Sequence, residues 1–111
     1  MIEKIVLDWL DEAVGSAYME IPTPLPDTPF LVIEKTGSGR ENHINSATIA
    51  VQSYAGSMLA AAQLNEAVKA AMEDIVSLPE VSACRLNSDY NFTDTDLKRN
   101  RYQAVFDLVH Y

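Results

Sequence analysis

Residues 89–111 read DYNFTDTDLKRNRYQAVFDLVHY, and the last eleven of them decide the fold. Taken as a strand, Arg101–Tyr111 sends Tyr102, Ala104, Phe106 and Leu108 to one face. Val105, Val109 and Tyr111 go to the other, because successive side chains alternate across a strand. A strand apolar on both faces needs cover on both sides, from helices or from another subunit. The polar stretch before it, Thr93–Asn100, reads as a loop, and Val81–Asp89 as the strand that precedes that loop. The C-terminal third is therefore a predicted β-hairpin.

Working outward, Pro79 stops a long helix that begins at Ser53 or Ser57, either of which is a suitable N-cap, and ends at Leu78. Its predicted buried stripe is Ala61, Leu64, Val68, Ala71, Ile75 and Leu78, at spacings of three and four. Ahead of it, Phe30–Thr36 and Ile44–Tyr54 read as two strands joined by a polar seven-residue turn, Gly37–His43. In the second strand Ala47, Ile49 and Val51 share one face, while Ser46, Thr48 and Gln52 share the other. Prolines 22, 24, 26 and 29 mark an extended connector, since proline fixes φ and lacks the N–H that a ladder needs. Before it come a short extended piece, Ala17–Ile21, and an amphipathic helix over residues 2–14 that Gly15 ends. The expected fold is α+β, with a four-stranded, mainly antiparallel sheet and two helices packed on one face, forming a single domain over residues 1–111.

Composition narrows the function. Sixteen acidic against eight basic side chains give a net charge of −8, which disfavours phosphate backbones and anionic membranes as partners. A lone cysteine, Cys84, permits no internal disulfide and is expected to be a buried, inert thiol. The first fifteen residues have no signal-peptide pattern, and no apolar run approaches the roughly 20 residues of a membrane span. A protein made and kept in a reducing cytoplasm is the expectation.

Motifs for chemistry are thin. His43 and His110 are the general-base candidates near neutral pH, yet neither comes with a nucleophile signature. Asp89, Asn91, Thr93 and Asp94 begin like a calcium loop, but the sixth position lacks glycine and the twelfth, Asn100, lacks the closing glutamate. Gly37-Ser38-Gly39-Arg40 follows a strand but leads into another strand, not into a phosphate-binding helix N-terminus. The expectation is a protein that is not an enzyme, with no catalytic, cofactor-binding or metal-binding residue, and whose functional residues make contacts. Those assigned to an interface are Ser38, Arg40, Glu41 and Asn42 of the first loop and Asp94, Asp96, Lys98 and Arg99 of the second. Val105, Val109 and Tyr111 of the last strand complete the set.

The order of elements resembles the small tail-terminator and tail-component proteins of long-tailed bacteriophages and prophages. The resemblance is carried by Pro29-Phe30-Leu31-Val32-Ile33-Glu34, the Gly37–Asn42 turn, and Val51-Gln52-Ser53-Tyr54 leading into the alanine-rich Ala60–Met72. Thr93-Asp94-Thr95 and Arg101–Leu108 complete it. It implies a virion structural protein of the tail or neck, assembled in the host cytoplasm. There it would form a homo-oligomeric, commonly hexameric, ring that ends the tail tube. The partners implied are the chain itself, the tail tube protein and the head-side connector protein, with no membrane and no sequence-specific nucleic acid. Two alternatives are a head–tail connector or minor capsid component, and a small cytoplasmic ligand-binding α+β domain.

Overall fold

The first helix, α1 (Ile2–Ala13), forms because Ile2, Val6 and Leu10 recur every four residues and are all buried. Glycine at position 15, with φ +144°, turns the chain out of the helix, and the Asp11 carboxylate accepts the Ala17 N–H at 3.1 Å. Two residues of strand follow, β1 (Ala17–Tyr18). The remaining elements are β2 (Phe30–Glu41), β3 (Ile44–Ala55), α2 (Met58–Glu73), a single 3₁₀ turn (Ile75–Ser77), β4 (Val81–Asn91) and β5 (Asn100–His110). The computed structural model describes residues 1–27, 29–93 and 99–111.

The fold is α+β with two helices, but the sheet differs from the four-stranded, mainly antiparallel one that the sequence predicts. It has five strands in the order β1-β2-β3-β5-β4, and β1 pairs parallel to β2 while every other pairing is antiparallel. The extra strand is the short extended piece, which the proline connector carries back alongside β2. The last strand does not sit at the rim of its hairpin: β5 lies between β3 and β4, and α2 crosses over it to join them. That position lets α2 cover the helix-side residues of β5, Ala104, Phe106 and Leu108, which are all buried.

The turn between β2 and β3 is a second correction. The strand does not stop at Thr36; it slips one residue at a bulge between Lys35 and Gly37 and stays paired from Gly37–Thr48 to Glu41–Ile44. The connection is only Asn42 and His43, both at positive φ (+52° and +67°), as a two-residue type I′ hairpin requires. Neither Gly37 nor Gly39 forms the turn, and Gly39 serves close packing against β3: a Cβ on it would lie 3.0 Å from the Ser46 hydroxyl.

Helix α2 starts at Ser57, whose hydroxyl accepts the Ala60 N–H at 3.1 Å, so of the two candidate caps the second is used. It ends at Glu73, earlier than Leu78, and the 3₁₀ turn carries Ile75 into the core. Its deepest residues are Ala61, Asn65, Val68 and Met72, with Leu64 and Ala71 half-buried beside them. The Trp9 indole donates to the Ala71 carbonyl at 2.8 Å and fixes α1 against α2. Both helices cover one sheet face, formed by Leu31 and Ile33, Ala47, Ile49 and Val51, and Ala104, Phe106 and Leu108. Each fully buried Val, Leu, Ile or Phe side chain of that cluster contributes about 1.5–3 kcal/mol relative to leaving it in water.

Candidate assembly interface

Among the described residues, the other face of the sheet carries no helix. At one end the proline connector folds over it, where Tyr18 and Leu25 pack on Phe30, Val32 and Tyr54. Phe30 stacks on Tyr54 with ring centres 4.7 Å apart, and the Arg101 guanidinium lies between the rings of Tyr54 (5.5 Å) and Phe92 (4.3 Å). From there a polar chain crosses the strands. Arg101 Nη1 donates to the Tyr54 hydroxyl at 2.8 Å, and Gln52 Nε2 to Gln103 Oε1 at 3.0 Å. Gln103 Nε2 in turn donates to the Tyr90 hydroxyl at 2.6 Å. These bonds let two glutamines, Gln52 and Gln103, lie buried beside the connector.

Toward the other end the face is shallow and made of small groups. Gly37, Gly39, Ser46, Thr48, Ala83 and Val109 floor a groove of about 550 Å³. Asp107 stands in it. Asn87 donates to one of its carboxylate oxygens at 2.9 Å and Thr48 to the other at 3.0 Å, while Arg85 approaches only to 3.8 Å. The hydrogen bond from Asn87, helped by Thr48 and Arg85 against partial burial, holds this carboxyl below the usual carboxylate range.

On the helix side of β4 a second groove, of about 310 Å³, runs between α2 and the strand. Cys84, Leu86, Phe106 and Met72 give it an apolar floor, and Glu66 and Glu73 stand at its rim. Lys69 bonds Glu66 at 2.8 Å and Asp89 at 3.0 Å, which raises its own pKa. Burial, reinforced by the charge of Asp107, pushes the Cys84 thiol up to about 11, so it is protonated at neutral pH.

The residues assigned to an interface from sequence are scattered over these surfaces. Ser38, Arg40 and Glu41 lie on β2 itself, not in a loop, and only Asn42 is a turn residue. Their exposure survives the correction, because among the described residues β2 has no outer neighbour there. Val105 and Val109 sit half-buried on the helix-free face, while Tyr111 lies beyond the end of β5 and is 74% exposed. Arg99 is half-buried just before β5; Asp94, Asp96 and Lys98 lie outside the described residues. His43 is in the turn, 3.3 Å from Arg40, and His110 ends β5. Of the superficial calcium loop, Asp89 is committed to Lys69 and Asn65, and Asn91 accepts from Thr93. Sequence reasoning missed Arg85, Tyr90 and Asp107, although strict alternation from Phe106 would have placed Asp107 on the open face.

The sequence matches no known protein-family model and no curated protein.

Proposed function

We propose that this chain is a non-catalytic structural subunit of a phage or prophage virion. Copies of it would form a ring, six being the number the resemblance implies, that ends the tail tube and joins it to the head-side connector. The observation that carries this reading is a sheet with half-buried valines on a face without a helix and, among the described residues, unpaired backbone along β4 and along β2 beyond β1. Two different rims on opposite sides of one sheet suit the heterologous contacts of a cyclic assembly, in which one patch meets a different patch on the neighbour. The acidic surface also suits a conduit for DNA, which like charge keeps from sticking.

The test is electron microscopy of particles assembled without this chain. Overlong tails without heads are the expected outcome, and adding purified chain back should restore joining. Tails of normal length attached to heads would overturn the reading. Purified chain that binds empty capsids, and not tail tubes, would move it to the connector side of the joint.

A further inference from the structure

Among the described residues, β4 has no strand partner along its outer side, and β2 is covered by β1 only at Leu31 and Val32. Every neighbouring pair from β2 to β4 is antiparallel, so the two rims run in opposite directions. A second copy set beside the first in the same orientation therefore presents its β2 antiparallel to β4. We propose that residues 35–41 of one copy extend the sheet of the next by pairing with residues 85–91, Arg40 opposite Leu86 and Glu41 opposite Arg85. The inference rests on the ring reading above and identifies the surfaces that would close the ring.

Three independent features agree on this register. The first is the bulges. β2 slips by one residue between Lys35 and Gly37, and β4 by one between Leu86 and Ser88. Counted from Arg40–Leu86, the two slips cancel, and the pairs Gly39–Ser88, Ser38–Asp89, Gly37–Tyr90 and Lys35–Asn91 each bring residues of the same sheet face together. The second is shape. Tyr90, 42% exposed, would lie over Gly37, which has no side chain to obstruct it.

The third is charge. On the helix side, Arg40 has no carboxylate partner among the described residues. Opposite Leu86 it would enter the groove between α2 and β4, where Lys69 already holds Glu66 but Glu73 has no cation partner among the described residues; the apolar floor fits its aliphatic stem and Glu73 its cationic head. On the open side the signs are reversed: Arg85, with its side chain 83% exposed, meets Glu41. Charges on an edge strand ordinarily block pairing. Here they are opposite across the junction on both faces, so they favour this neighbour and this orientation.

Cross-linking tests the register. In a Cys84→Ser background, Glu41→Cys and Arg85→Cys lie three strand spacings apart within one chain and four residues out of level, since Gly37 is the β2 residue level with Arg85. That is about 20 Å, too far for an internal disulfide. Oxidation on purified tail tubes should give a ladder of covalent oligomers, and each single-cysteine chain should give none. As a second arm, Arg40→Glu should reduce ring occupancy of tubes at least tenfold, and Glu73→Lys added to it should restore most of that loss. Circular dichroism of each variant controls for folding. Rings that form without a ladder, or unchanged by Arg40→Glu, overturn the pairing and leave the ring reading standing. A wild-type chain that never associates with itself on tubes sinks the ring reading and this pairing with it. Cross-links from position 85 to the tube protein would assign the β4 rim to that partner instead.

Discussion

At the scale of single residues, Asp107 links the packing of the sheet to its open face. It accepts from Asn87 on β4 and Thr48 on β3, so one carboxylate ties the edge strand β4, through β5, to β3. Its pKa is depressed below the ordinary 3.8, so the folded form binds this proton less readily than the unfolded chain does. The stability it contributes is therefore complete above the ordinary value and is lost as pH falls through the lower, folded one. Because its side chain is 35% exposed, solvent screening limits that contribution to about 1 kcal/mol. Replacing Asp107 with Asn should lower the melting temperature at pH 6, and the difference from wild type should close as the pH is taken below the carboxylate range. A deficit that stays constant across the titration would mean that the charge contributes nothing. Cys84, in contrast, keeps its proton and acts as an apolar group on the floor of the groove.

At the scale of elements, the β2–β3 turn shows what a sequence does and does not reveal. Glycines at 37 and 39 around a serine look like a turn, because glycine is the usual residue where a chain reverses. They are instead strand residues, Gly39 leaving room for the Ser46 hydroxyl, while the reversal falls to Asn42 and His43. Asparagine tolerates a left-handed backbone; histidine does so less readily, so the true turn lacked the Asn-Gly signature. His43→Gly should accordingly stabilise the hairpin by about 0.5–1 kcal/mol, and His43→Val should destabilise it, both read from urea unfolding midpoints. A destabilising glycine there would show that the histidine makes a contact worth more than the strain. The helices and the strand cores were legible because apolar spacing of 3–4 and of 2 is a local property. The order β3-β5-β4, the parallel β1 and the connector folded over Phe30 and Tyr54 were not, since each depends on which distant surfaces meet. The candidate interface was half-legible for the same reason: Val105 and Val109 follow from alternation, but the rim that carries both Arg85 and Tyr90 exists only once β4 is known to be the edge.

At the scale of the whole molecule, two electrostatic effects compete, and their ranges decide the outcome. Each copy carries a charge of −8, so neighbouring copies repel as wholes, across a body 24 Å wide and 44 Å long. The proposed contacts of Arg40 with Glu73 and of Arg85 with Glu41 act over a few ångström. The screening length is about 30 Å at 0.01 M salt and about 8 Å at 0.15 M, so moderate salt removes the long-range repulsion first. The short contacts, partly enclosed between α2 and β4, lose much less. Association should therefore strengthen on going from about 0.01 to 0.15 M sodium chloride, and weaken again only toward about 1 M, where screening reaches about 3 Å. Sedimentation velocity with tail tubes present, or counts of rings on tubes, follows this directly. For Arg40→Glu, which adds repulsion at the junction itself, binding should recover only toward the highest salt. If association of the wild-type chain instead falls steadily from the lowest salt upward, local attraction dominates at every range, and the net charge has no part in controlling assembly.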